Sequence, residues 1–235
     1  MKKIYKKLLT SIKKRFFDYD KFLCKSYSQQ GEDRILATLF SQPKGFYVDV
    51  GAHHPKHFSN TRIFYCAGWS GINIDAVPGM KELFSKDRPR DINLEIGVGL
   101  KREELTYYIF NEPALNSFSP RVAAGLKDHL YFKNTDQKKI TVMPLAEILD
   151  QYLPLGTVID FLSVDVEGLD YEVLQSNNWD KYRPKVVVCE VPLGSSTKIN
   201  AVLDSDIYKF LQNKGYELVA KTTVTLFFMS STAEK

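Results

Sequence analysis

The sequence predicts an α/β fold of Rossmann-like type, a mostly parallel sheet with helices on its faces. Three observations point to it. Gly45-Phe46-Tyr47-Val48-Asp49-Val50-Gly51-Ala52 reads as a short apolar strand ending in an acid and a tight glycine turn. Gly71-Ile72-Asn73-Ile74-Asp75 reads as a second such strand, again ending in an acid. Strand and helix signals then alternate along most of the remaining chain.

The 235 residues suit one domain with a small extension, and 44% hydrophobic content supplies an ordinary core. No apolar run reaches the length of a spanning helix, and lysines interrupt the N-terminal apolar residues, so neither a membrane span nor a secretory signal is expected. Cys24, Cys66 and Cys189 are scattered and odd in number, which suits reduced thiols in the cytoplasm. Seven of the 32 basic residues lie within residues 1–15, where there is no acid. The rest of the chain holds 25 basic against 28 acidic residues, so the basic character belongs to an arm.

That arm, residues 1–25, is expected to be a helix to about residue 22, with Ile4, Leu8, Leu9, Ile12 and Phe16 at helical spacing. A basic amphipathic helix suits two settings: peripheral contact with an anionic membrane face, or packing on the domain. A nucleic-acid partner is not expected, because no recognised nucleic-acid fold follows. Residues 26–235 then form the domain. Ser28 to Asp33 opens a helix with Ile35, Leu36, Leu39 and Phe40 as its apolar face, Ser28 and Glu32 resembling a capping pair. Strand 46–50 leads to a helix near 58–67, strand 71–75 to a helix at 78–86 opened by Pro78, and strand 92–98 follows. Residues 100–140 break the rhythm and read as an insertion that shapes an acceptor pocket, with a strand at 105–110 and loop or weak helix at 116–131. Then come a short strand 140–143, helix 144–152, strand 158–166, helix 169–176, strand 185–191 and helix 200–213. Strands 216–220 and 223–229 close the chain, expected to be antiparallel.

The first turn carries one glycine. A dinucleotide site wants G-x-G-x-x-G to seat a pyrophosphate, so a nicotinamide-linked oxidoreductase is disfavoured. Asp49-x-Gly51 fits a nucleoside cofactor without phosphates, such as S-adenosylmethionine, with Gly51 letting the backbone approach the ligand and Asp75 accepting from the ribose diol. Asp165 and Glu167 end an apolar strand at spacing i, i+2, which places both carboxylates on one side if the strand continues. At the carboxyl edge of a parallel sheet they can deprotonate a hydroxyl or hold a divalent cation such as magnesium. The other reading is an acid capping the next helix. His53, His54 and His57 cluster within five residues. They offer a general base, with His54 the catalytic candidate and His53 lining the cofactor turn; no cysteine or acid at ligand spacing supports zinc. Glu190 ends the strand at 185–191, either facing the pocket or pairing with a base.

In their order, these motifs resemble the FkbM-type family of S-adenosylmethionine-dependent methyltransferases. The matching segments are Ser28-Gln-Gln-Gly-Glu-Asp33, Tyr47-Val-Asp-Val-Gly-Ala-His-His-Pro55, Ser59-Asn-Thr61, Gly68-Trp-Ser-Gly-Ile-Asn-Ile-Asp75 and Asp160-Phe-Leu-Ser-Val-Asp-Val-Glu-Gly168. The resemblance implies a class I methyltransferase fold, a mostly parallel seven-stranded sheet with one antiparallel strand. It implies that Asp49, Gly51 and Ala52 cradle the methionine part of the cofactor and Asp75 its ribose. Glu32 would hold the amino end, Ile96 and Gly97 would flank adenine, and Asp165 and Glu167 would lie beside the transferring methyl group. The implied activity is O-methylation of a small-molecule or glycan acceptor, for which a sugar of a polysaccharide or glycolipid precursor built at the inner membrane surface is the leading expectation. A non-catalytic, membrane-recruited partner protein on the same fold is the alternative.

Overall fold

The computed structural model describes residues 23–191 and 198–232. The expected helical arm, apart from residues 23–25, lies outside these residues. Chain order begins with α1 (Glu32–Leu39), β1 (Phe46–Val50), α2 (Arg62–Cys66), β2 (Ser70–Asp75), α3 (Met80–Asp87), β3 (Ile92–Glu95) and β4 (Gly97–Val98). Then follow β5 (Glu103–Phe110), a 3-10 turn at Pro113–Leu115, α4 (Pro120–Gly125), β6 (Asn134–Met143), α5 (Leu145–Tyr152), β7 (Phe161–Val164) and α6 (Asp170–Gln175). Last come β8 (Val186–Glu190), α7 (Ile199–Leu203), α8 (Asp206–Asn213), β9 (Tyr216–Lys221) and β10 (Thr225–Ser230).

Seven strands form the main sheet in the order β3-β2-β1-β7-β8-β10-β9. All neighbours run parallel except that β10 is antiparallel to β8 and to β9. Alternation along the strands sorts the core into two layers. Val48, Val50, Leu162, Val164, Val187 and Cys189 pack on the side of α5, α6 and α8. Tyr47, Phe161, Val186 and Val188 face the other way, onto Leu36, Phe64 and Trp69. Strands buried on both faces are mostly apolar along their length, which is why they stand out in the sequence.

Four expectations need correction. Strand 92–98 is two strands: β3 joins the main sheet, while β4 pairs with β6 in a separate sheet of order β4-β6-β5. The break falls at Ile96, whose N–H donates to the Asp75 carbonyl at 2.9 Å. The strand read at 140–143 begins at Asn134, because residues 134–139 are exposed and carry no apolar alternation. The helix read at 200–213 is broken, Ser205 capping α8 by accepting the Tyr208 N–H at 3.2 Å. At α1, the reciprocal partner of Ser28 is Asp33 and not Glu32: the Ser28 hydroxyl donates to Asp33 Oδ1 at 2.9 Å and accepts the Asp33 N–H at 3.2 Å.

The topology places the site. From β1 the chain winds outward through β2 and β3, then returns to the other side of β1 as β7. Where successive crossovers leave to opposite sides, a crevice opens beyond the carboxyl ends of the strands. The sheet of β4, β5 and β6, built by residues 97–143, stands over that crevice.

Candidate active site

A cavity of about 380 Å³ occupies this crevice. Its floor comes from the turns after β1, β2, β3 and β7, and its roof from residues 107–118 and Phe132. Gly51, His53, Asp75, Ile96, Gly97, Asp165 and Glu167 all line it, although they come from four separate turns. Asp49, Ala52, Glu32 and His54 do not.

Gly51 has φ of 79°, which glycine adopts without strain. A Cβ there would stand 1.7 Å from the Asp165 carbonyl oxygen. The close approach that demands glycine is therefore to the β7 turn, in place of the ligand approach expected from the sequence. The Gly51 and Ala52 N–H groups both donate to the Ile74 carbonyl, at 2.9 and 3.2 Å, so this turn is stitched to β2.

Asp75 is buried at the end of β2. Its Oδ2 accepts the His53 N–H at 2.7 Å and its Oδ1 the Val77 N–H at 2.8 Å. Burial raises its pKa to about 6, against the opposing effect of those two bonds. A carboxylate offers about four lone-pair sites, so each oxygen keeps one for the cavity. These two free acceptor positions fit a ribose diol. At Gly97 a Cβ would collide with Phe118, at 2.7 Å, so bare backbone and an aromatic ring meet at this wall. With Ile96 alongside, they make a flat apolar slot of the kind a purine fills. Tyr107 is buried next to it, with its ring centroid 4.5 Å from that of Phe118. Burial, then the nearby Asp75 charge, pushes its phenol pKa up, so it remains a hydroxyl donor.

Asp49 lies beneath the cavity, its Oδ2 accepting the Thr61 hydroxyl at 2.7 Å, and burial raises its pKa. Glu32 is buried too; its Oε2 accepts the Gln30 N–H at 2.8 Å and its Oε1 faces the Thr225 hydroxyl at 3.4 Å. The cavity residue from its segment is Gln29.

The catalytic role expected for His54 does not fit its position. Its Nδ1 accepts the N–H groups of Lys56 and His57, each at 3.1 Å, and so serves the turn. His53 is the histidine that the cavity receives. It holds a positive φ of 54°, and burial, then the neighbouring imidazoles, lower its pKa, which keeps it neutral near pH 7. Phe58, φ 52°, shares this loop and also lines the cavity. Two strained residues in one loop need a clamp. That clamp, which no sequence pattern marks, is Arg88, fully buried at the end of α3. Its guanidinium donates to the Pro55 carbonyl at 2.5 and 3.0 Å, to Ser59 Oγ at 2.7 Å and to Thr61 Oγ1 at 2.7 Å.

β7 ends at Val164, earlier than expected, yet the following turn still carries Asp165 and Glu167 to the cavity. Glu167 has φ of 52°, and its carbonyl accepts the Ser117 hydroxyl at 2.8 Å, tying this turn to the roof. Burial raises the pKa of Glu167, and the Asp165 and Asp170 charges push the same way. Asp165 is raised by burial and then by Asp49 and Glu32; its solvent-facing surface at the cavity mouth moderates that push. Glu190 is raised by burial and by the surrounding acids.

A family model, the methyltransferase FkbM domain, matches residues 49–218. The chain belongs to the FkbM methyltransferase family. As in the rest of this family of S-adenosylmethionine-dependent methyltransferases, the cofactor is S-adenosylmethionine, and the diol acceptor Asp75 and the slot at Ile96 and Gly97 suit it. Among solved structures the chain is similar to a TehB-like SAM-dependent methyltransferase from Corynebacterium glutamicum, at 10% identity and a TM-score of 0.40. The alignment covers 94% of this chain and 97% of that one. No curated protein sequence matches the chain. No helix among the described residues is long and apolar enough to cross a membrane.

Proposed function

We propose that this methyltransferase acts on oxygen, methylating a hydroxyl of a sugar in a polysaccharide or glycolipid precursor. The supporting observation is the make-up of the cavity wall beyond the cofactor region. Phe58 and Phe132 offer aromatic faces there, and Glu112, Asp165 and Glu167 offer carboxylates. A sugar ring presents apolar C–H faces between hydroxyl donors, and this combination matches both. Neither Lys nor Arg is among the described residues that line the cavity. The carboxylates and aromatic faces that do line it suit an uncharged sugar at the reacting end of the acceptor.

Bound S-adenosylmethionine supplies an electrophilic methyl group. The chain's own part is placement and proton removal. Asp165 and Glu167 accept a hydrogen bond from the acceptor hydroxyl, and one of them takes its proton as the oxygen becomes an ether. Glu167, whose pKa burial raises, is a stronger base than an exposed carboxylate and suits this step. Phe58 and Phe132 shield the reacting atoms from water. His53, neutral and in the same cavity, is the histidine able to relay the proton outward.

The test uses methyl-labelled S-adenosylmethionine, the full chain and lipid-linked and nucleotide-linked sugars, with products hydrolysed and resolved as methylated monosaccharides. Label on a sugar oxygen, lost in the Asp165→Asn/Glu167→Gln variant while S-adenosylhomocysteine still binds, is the expected result. Label on nitrogen or carbon, or full turnover by that variant, refutes the reading.

A further inference from the structure

We propose that Asp165, Glu167 and Glu190 form a divalent-cation site at the carboxyl edge of the sheet, with Glu190 the ligand from β8. Each offers one carboxylate oxygen, and the three oxygens lie within 4.8 Å of one another. Around one ion, oxygens at about 2.1 Å for magnesium or about 2.4 Å for calcium stand up to roughly 4–5 Å apart. The spacing therefore suits a single oxygen-loving cation that keeps water on its remaining positions. Three carboxylates this close repel one another unless positive charge joins them. None of the three makes an ion pair with a described residue, and their charged surroundings are other acids.

Asp170 supplies the second, separate observation. It is 5% exposed, and its Oδ1 is buried without a hydrogen-bond partner among the described residues. Its Oδ2 accepts the Gly168 N–H at 3.3 Å, and the Glu190 N–H is also close to its carboxylate. The side chain is thus wedged between the backbones that carry Glu167 and Glu190. A buried carboxylate oxygen left unpaired is costly, and a cation or its water on the adjoining triad is the partner it lacks. The backbone is also bent to this end, since Glu167 holds a left-handed φ that the Ser117 bond keeps in place.

Asp165 and Glu167 face the cavity, so a cation held there meets the acceptor hydroxyl directly. It would lower the pKa of that hydroxyl and fix its direction of attack, while the carboxylate oxygen that Asp165 or Glu167 does not give to the ion stays free to take the proton. The inference stands on the carboxylate geometry and does not depend on which acceptor is used.

The experiment is titration of the chelator-stripped full chain with manganese, read by loss of the free-ion electron paramagnetic resonance signal, then displacement by magnesium or calcium. One manganese per chain is expected. Glu190→Gln, close in shape, should weaken binding at least about tenfold, as losing a ligand-shell carboxylate does. Asp165→Asn should do the same, while Asp136→Asn, on exposed β6, should leave it unchanged. Circular dichroism and S-adenosylhomocysteine binding, measured on each variant, separate a lost site from a lost fold. No saturable manganese binding by the wild-type chain, or wild-type affinity in folded Glu190→Gln, overturns the proposal. S-Adenosylhomocysteine binding retained in that case leaves the methyltransferase reading intact.

Discussion

Replacing Arg88 by methionine tests the clamp on the cavity loop. The side chain is fully buried and donates to four acceptors: the Pro55 carbonyl, Ser59 Oγ, Thr61 Oγ1 and, at 3.4 Å, Asn73 Oδ1. Hydrogen bonds from a charged donor contribute about 1.5–3 kcal/mol each. Their loss is partly offset, because methionine needs no desolvation of a charge, so the net cost is about 3–5 kcal/mol. For a chain of this size that lowers the melting temperature by about 10 °C. Thr61 also donates to Asp49, so the disturbance extends to the end of β1. Freed of the clamp, His53 and Phe58 can leave their positive-φ conformations, each of which costs on the order of 1–3 kcal/mol. Affinity for S-adenosylhomocysteine should therefore fall at least about tenfold, since His53 also donates to Asp75. Thermal unfolding and calorimetric titration read the two effects. Arg88→Lys should recover less than half of either, because one ammonium cannot reach all of these acceptors. A methionine variant melting within about 2 °C of the wild type, with unchanged affinity, would refute the reasoning.

Two further outcomes follow from the same geometry. Product-cofactor affinity should depend on the charge of Asp75, whose pKa burial raises to about 6. The ionised form accepts from the diol, so affinity is full above about pH 7 and declines as pH falls through 6; an Asp75→Asn variant should bind weakly with that inflection gone, and a flat wild-type profile contradicts the assignment. For folding, this group has the opposite sign. Its folded pKa exceeds its ordinary 3.8, so its contribution is present below that value and is lost as pH rises through about 6. Gly51→Ala should prevent stable folding, because its Cβ would strike the Asp165 carbonyl at 1.7 Å, whereas Gly68→Ala, φ 97° with no atom near, should cost only about 1–2 kcal/mol in a urea melt. Similar stability for the two variants would show that the β1 and β7 turns are not locked together.

Most strands of the main sheet are legible in the order of residues. β1, β2, β7 and β8 are buried on both faces, so each is a short, mostly apolar run between turn signals, with an acid at or next to its carboxyl end: Asp49, Asp75, Asp165 and Glu190. Burial leaves such strands little freedom of composition, and that constraint is readable in one dimension. It also placed Gly51, Asp75, Asp165 and Glu167 at the edge where the cavity forms. Tertiary structure alone decided the rest. Residues 134–139 are exposed, so no core dictates their pattern and half of β6 was invisible. His53 and His54 are chemically alike in sequence; the turn set by Asp75 sends one ring to the cavity and folds the other onto its own backbone. Arg88 stands in the run Ser85-Lys86-Asp87-Arg88-Pro89-Arg90, which reads as a solvated surface. Only the fold shows that this guanidinium turns inward, because the carbonyl and hydroxyls that repay its desolvation come from a loop some thirty residues away. Likewise Glu190 meets Asp165 and Glu167 only because β8 lies beside β7 in register. Local sequence specifies which groups end a strand, and strand order specifies which of them share a site.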